Sequence, residues 1–428
     1  MNEYLIKGAT LTNGSKKDIL VSDGLITKVA ESIESTAQVI EAKGLIALSG
    51  FVDLHTHLRQ PGFEQSETVL TGSRAAAKGG YTAVNAMANT MPVADSSAVV
   101  EQVYRLGVEA GYVEVKPIGA VSLGLRGENL AELASMNRSI ANVTVFSDDG
   151  NCVSDPLLMR RALEYVKSFD GVIAQHAQEP RLTVGAQMNE GATATKLGLA
   201  GWPSVAESSI VARDALLAEV TGSKIHVCHV STKETVDVVR WAKSRGINIT
   251  AEVTPHHLLL TEDMVNDYNT VYKVNPPLRT IEDVLALREA LADGTIDIVA
   301  TDHAPHPKQS KDCDWASAAN GMVGLETAAS VVIETMVKTG LIDWTRFEQV
   351  MSIQPALIAQ MPNQGRGISE GAPANITLID PSVERLVNED TESLSANNPY
   401  LGIKLTGLVQ HVLFTGKLTV LDNKVQEF

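Results

Sequence analysis

The chain has 428 residues, 44% of them apolar, so it can bury a sizeable core and exceeds one compact domain of common size, although barrels run large. A formal charge of −16 excludes a nucleic-acid surface, which needs dense Lys and Arg, and limits any acidic partner to a small molecule met locally. Three widely spaced cysteines (Cys152, Cys228, Cys313) make no disulfide framework, and neither a signal peptide nor a membrane span is legible, so a soluble cytoplasmic protein is expected.

Residues 1–49 alternate apolar and polar positions between Gly, Asp and Asn, which predicts short antiparallel strands. The same texture returns over residues 365–428, after the Gly and Pro cluster "GRGISEGAPAN". Two strand-rich ends around a different middle predict one small β-sandwich domain built from both termini.

The middle, residues 50–364, alternates eight apolar, β-branched strands with amphipathic helices. The strands are read in "GFVDLHTH", "YTAVNAM", "EVKPIGAV", "NVTVFSDDG", "GVIAQHA", "KIHVCHV", "INITAEVT" and "IDIVATDHA". Parallel strands covered on both faces read as near-continuous apolar runs, so the pattern predicts an α/β fold of the (β/α)8 TIM-barrel type. A doubly wound open sheet is the competing architecture.

In such a barrel, catalytic groups emerge at the C-terminal ends of the strands. His55 and His57 close the first strand, Asp148 and Asp149 the fourth, His176 the fifth, His229 the sixth and Asp302 the eighth. His55 and His57, two apart, share a face, and only one of Asp148 and Asp149 can point inward. Any one of these histidines alone reads as an ordinary hydrogen-bonded residue. Together, four imidazoles and two carboxylates at one end would be costly to bury without a cation. Nitrogen and carboxylate donors without thiolate suit Zn2+ best, and Mn2+, Co2+ or Fe2+ less well. Six ligands exceed one tetrahedral site and would fill two, about 3.5–4 Å apart with a bridging carboxylate. The odd offsets of His226 and Cys228 from His229 predict core packing for both. His256, His257 and His303 read either as partners of the ligands or as ordinary histidines, and His411 as structural.

"DLHTHLRQPG", "AMANTMPVAD", "VFSDDG", "VNPPLR", "ATDHAPH" and "GLETA" together resemble the class I bacterial dihydroorotases of the amidohydrolase superfamily, over nearly the whole chain. The resemblance implies that His55, His57 and Asp302 hold one zinc and His176 and His229 the other, with Asp149 bridging. No lysine stands in "NVTVFSDDG", so the carboxylated lysine of related hydantoinases and allantoinases is expected to be absent. It further implies that Arg59, Asn89 and His306 bind the substrate carboxylate, that Asn275 contacts the ring amide, and that the Asn320–Gly321 pair lies in a segment giving the ring backbone contacts. The chain departs from the family pattern at Gln60, Ala88, Met91 and Asn320.

The implied enzyme is a zinc-dependent cyclic amidohydrolase that closes N-carbamoyl-L-aspartate to L-dihydroorotate, reversibly, in pyrimidine (UMP) biosynthesis. A zinc-bound hydroxide would attack the ring amide, and Asp302 would move the proton. A hydantoinase or allantoinase on the same barrel is the rival enzyme, and a non-catalytic scaffold for aspartate transcarbamoylase is the rival from another class. A homodimer and association with that transcarbamoylase are compatible with the resemblance; nucleic acid and membrane are not expected partners. The polar stretch "HPKQSKDCDWASAANG" beside the site predicts a mobile lid.

Overall fold

A computed structural model describes residues 3–428. Eight parallel strands run through its middle: β1 (Phe51–Thr56), β2 (Tyr81–Ala86), β3 (Glu114–Pro117), β4 (Val145–Phe146), β5 (Val172–Gln175), β6 (Lys224–Val227), β7 (Ile249–Val253) and β8 (Ile298–Val299). They form two parallel sheets, β1-β2-β3 and β4-β5-β6-β7-β8. Single parallel bridges link the sheet edges, Gly119 to Phe146 on one side and Thr56 to His303 on the other.

A helix follows every strand, among them Ser97–Ala110 after β2, Leu133–Arg138 after β3 and Ala328–Val332 after β8. Local chemistry sets the starts of several. Thr68 opens Val69–Lys78 with a capping box, Thr280 and Asp283 do the same for Ile281–Asp293, and Asp155 caps Pro156–Val166. Each cap satisfies backbone N–H groups that the first turn leaves without partners.

Two apolar layers sandwich the strands. The outer joins strand residues such as Phe51, Val84 and Ile173 to helix residues such as Val100, Leu163 and Val239. The inner draws Val52, Leu54, Ala83, Ile118, Val145, Val172, Cys228 and Ile298 into one cluster. Strand register therefore delivers small and branched side chains to the centre, beneath the polar strand ends.

The termini meet in one nine-stranded sheet. Strands Tyr4–Thr10, Lys16–Ser22, Leu25–Ala30, Gln38–Glu41 and Ile46–Ser49 join Ile376–Leu386, Lys404–Phe414, Lys417–Leu421 and Lys424–Val425 through antiparallel pairing of Ile46–Ser49 with Ile376–Leu386. Two pairings differ from the antiparallel expectation, since Tyr4–Thr10 also meets Ile46–Ser49 in parallel, through Thr10 and Ile46. Tyr4–Thr10 runs parallel to Gln38–Glu41, because the chain crosses back over residues 31–37 instead of turning tightly.

Candidate metal centre

The polar strand ends converge. Asp149, three residues beyond β4, touches all four imidazoles. Its Oδ1 lies 3.3 Å from His55 Nε2, 3.2 Å from His176 Nδ1 and 3.3 Å from His229 Nε2, while Oδ2 lies 3.3 Å from His57 Nε2. Asp302, beyond β8, places Oδ1 3.1 Å from His57 Nε2 and 3.4 Å from His55 Nε2. His176 Nδ1 and His229 Nε2 face each other at 2.9 Å. All six residues are buried.

Backbone geometry aims these groups. The β1–β2 register shifts between Asp53 and Thr56, which lets His55 and His57 reach the centre although Val52 and Leu54 already fill the inner layer. His229 (φ 31°), Asp302 (φ 46°) and Arg59 (φ 61°) adopt the left-handed region, at a cost on the order of 1 kcal/mol or more each that the surrounding bonds must offset.

The donor set suits a divalent cation. Ligand atoms of His55, His57 and Asp302 lie within 4.8 Å of one another, as do those of Asp149, His176 and His229. His55 Nε2 is buried and has no hydrogen-bond partner among the described residues, even with two carboxylate oxygens at 3.3 and 3.4 Å. A buried imidazole nitrogen that has carboxylates on two sides and no hydrogen-bond partner is a position that a cation could satisfy.

Electrostatics agree. Burial alone would make both acids harder to ionise, but His55, His176 and His229 hold the Asp149 carboxyl well below its usual range, and His55 and His57 do the same for Asp302. Against the same burial, Asp149, Glu252 and Asp302 raise His55 well above an ordinary imidazole. The site thus stores strong negative potential that protons or a metal cation can neutralise.

Several partners were not legible in the sequence. Glu252 on β7 sets Oε1 2.6 Å from His55 Nδ1 and Oε2 2.9 Å from His226 Nε2. Burial opposes its ionisation, yet His55 and His226 bring it down to about 2. His226 is therefore a partner of this carboxylate and not a core packer, since Thr250 Oγ1 takes its other nitrogen at 2.8 Å. Cys228 does pack into the inner layer, yet its sulfur also lies within 4.8 Å of ligand atoms of His55 and Asp149. Asp148 is turned away: its Oδ1 accepts from the amides of Val121 and Ser122 at 2.8 and 2.9 Å. His303 Nε2 meets buried Glu67 at 3.3 Å, and His257 bonds Thr254 and the Pro277 carbonyl. An acidic residue inside an apolar strand, as in "INITAEVT", is the signal that marks Glu252.

Around the cluster stand the other residues singled out from the sequence. Arg59 Nε donates to the Pro305 carbonyl at 3.1 Å and Nη2 lies 3.5 Å from His306 Nε2; burial brings the guanidinium down to about 10. Burial, with Arg59 next, pushes His306 down to about 3, so its neutral ring donates Nε2–H to the Asn320 carbonyl at 2.8 Å. Asn89 Oδ1 pairs with His57 Nδ1 at 2.9 Å, leaving Nδ2 without a partner among the described residues. Asn275 Nδ2 donates to Gln178 Oε1 at 3.0 Å, which also meets His176 Nε2 at 2.9 Å, and Asn275 Oδ1 is buried with no partner among the described residues. Gly321 (φ 140°) has no room for a side chain: a Cβ there would sit 2.8 Å from Ala304 Cβ and 2.9 Å from His306 Nε2.

Comparison with known proteins agrees with this geometry. The profile of the "Dihydro-orotase-like" family matches residues 44–235. A dihydroorotase of Streptomyces coelicolor is 61% identical over 99% of this chain and all of its own length, and one of Mycobacterium tuberculosis is 54% identical over 96% of this chain and 97% of its own. Among solved structures, the L-hydantoinase of Arthrobacter aurescens superposes with a TM-score of 0.89 at 24% identity, covering 100% of this chain and 98% of that one. The dihydropyrimidinase of Brevibacillus agri gives 0.84 at 23%, covering 99% and 96%. These two establish a shared fold. With buried imidazoles and carboxylates gathered at the strand ends and full-length relatives at such identity, the chain belongs to the dihydroorotase family.

Proposed function

We propose that this chain interconverts N-carbamoyl-L-aspartate and L-dihydroorotate, with water released on closing, in pyrimidine biosynthesis. The observation that carries the reading is Asp149, whose two oxygens reach four imidazoles within 3.3 Å while Asp302 closes the other side.

Zinc is the metal proposed, two ions per chain: His55, His57 and Asp302 would hold one and His176 and His229 the other, with Asp149 contributing to the same site, and bound zinc would supply acidified water and polarisation of the ring carbonyl. The protein's own groups do the rest. Arg59 and the Nδ2 of Asn89 take the exocyclic carboxylate, a guanidinium fork being matched to that planar anion, and His306 gives the anion its single Nε2–H in place of the Asn320 carbonyl. The unpartnered Oδ1 of Asn275 is an acceptor for a ring N–H, and the Asn320–Gly321 backbone lies along the ring. Asp302 takes a proton from the attacking water and delivers it to the ring nitrogen as the amide C–N bond breaks; in the closing direction the same proton returns.

The eight strands are read as a closed (β/α)8 barrel over residues 50–364, supported by the bridges at both sheet edges and by the single inner apolar cluster. Residues 1–49 and 365–428 are read as a β-sandwich domain, supported by a shared core of Ile6, Ile19, Ala47, Ile376, Leu378 and Leu413. A cytoplasmic setting accords with three free cysteines, and no helix among the described residues is long and apolar enough to cross a membrane.

The test is turnover by the purified protein, followed as loss of dihydroorotate absorbance, beside hydantoin and allantoin. Preference for dihydroorotate is expected. Preference for a carboxylate-free ring would favour the hydantoinase reading, and metal-loaded protein without any turnover the scaffold reading.

A further inference from the structure

The segment between strands Ile376–Leu386 and Lys404–Phe414 leaves the terminal sheet and crosses to the loops that follow β1 and β8. Ser395 Oγ donates to the Ser66 carbonyl at 2.7 Å, and the Leu394 amide donates to Glu67 Oε1 at 3.1 Å. Its most engaged side chain is Asn397, buried at 4% exposure.

We propose that Asn397 is a positioning residue for the substrate-carboxylate site. Its Oδ1 accepts the His306 amide at 3.1 Å, while Nδ2 donates to the carbonyls of Ala304 at 3.0 Å and Gly321 at 3.2 Å. One side-chain amide thereby ties the segment carrying His306 to the segment carrying Asn320 and Gly321, beside the backbone bond from the Ala304 amide to the Met322 carbonyl at 2.8 Å and the bond from His306 Nε2 to the Asn320 carbonyl. Its donors and acceptor are all used, and a buried amide satisfied in this way resists displacement. Asn397 touches no metal ligand, so its effect is confined to where the carboxylate partners stand. A shift on the order of 1 Å in such a group is enough to weaken binding about tenfold or more.

The inference rests on the reading of His306 as a carboxylate partner. In Asn397→Ala, the backbone bond from the Val323 amide to the residue 397 carbonyl remains, so the segment stays attached. The expected result is a KM for dihydroorotate raised about tenfold, kcat within about twofold of wild type, and an unchanged zinc count. Asn398→Ala is the control: Asn398 Oδ1 serves only the Tyr400 amide, at 2.9 Å, within the same segment, and its KM should stay at the wild-type value. Should the alanine variant prove insoluble, Asn397→Asp keeps the acceptor for His306, loses both donors, and is expected to raise KM as well. A wild-type KM in the variant tested, or an equal rise in Asn398→Ala, overturns the proposal. A wild-type protein inactive on dihydroorotate overturns instead the functional reading on which it stands.

Discussion

Glu252 Oε1 lies 2.6 Å from His55 Nδ1, and the other oxygen of the same carboxylate lies 2.9 Å from His226 Nε2. This pairing commits the His55 Nδ1 proton to Glu252 and leaves Nε2 to face Asp149 and Asp302. In Glu252→Gln the amide cannot accept both imidazole protons with the same charge. Metal affinity should fall about 10–100-fold, read by competition with a chelator, with activity falling in parallel. Wild-type affinity would show that His55 is oriented by packing alone.

Arg59 stands at the edge of the cluster, bonded to the Pro305 carbonyl, beside His306, and to none of the six clustered imidazoles and carboxylates. Arg59→Met should retain the full metal complement and lower kcat/KM for dihydroorotate by about two to three orders of magnitude, the loss usual for an unpaired buried anion. Undiminished turnover would remove Arg59 from the substrate site.

Gly321→Ala places a methyl group 2.8 Å from Ala304 Cβ and 2.9 Å from His306 Nε2, at a φ that an L side chain rarely adopts. The loop must move. A KM increase of at least about tenfold is expected, with a melting temperature lowered by a few degrees, consistent with strain on the order of 1–2 kcal/mol. Kinetics and melting at wild-type values would mean that the loop holds no part of the site.

The eight strands and the imidazoles and carboxylates that converge at their ends are legible in the sequence because β-branched apolar runs and polar residues at their ends are local signals. His226 was misread because its partner, Glu252, lies 26 residues away, and strand alternation says nothing about which buried polar groups pair. The parallel pairing of Tyr4–Thr10 with Gln38–Glu41 is equally non-local. Asn397 carried no signal, since an asparagine in a polar segment reads as a turn until the chain is folded.

The stretch expected to act as a mobile lid is docked by two lysines. Lys311 Nζ donates to the carbonyls of Thr270, Lys273 and Ala319 at 3.1, 2.9 and 2.7 Å, and Lys273 Nζ donates to those of Trp315 and Ala316 at 2.6 and 3.2 Å. Burial, with Lys273 next, brings the Lys311 ammonium down to about 7. In an open loop that group would regain its ordinary value near 10.5, so the closed state binds fewer protons between those limits. Closure should then strengthen as pH rises through that window, the neutral amine keeping two of the three carbonyls. Hydrogen-exchange protection of residues 308–319, corrected for intrinsic rate, should rise about tenfold from pH 6 to 9 in the wild type and not in Lys311→Met. A fall in protection over the same range would contradict the assignment.

Asp149 is the carboxylate that all four imidazoles share, and a zinc count on Asp149→Ala combined with dihydroorotate hydrolysis tests its role most directly. Two zinc ions in the wild type are predicted, with at least one lost from the variant and turnover reduced about a thousandfold or more. A variant that keeps both ions and hydrolyses dihydroorotate at the wild-type rate would contradict it.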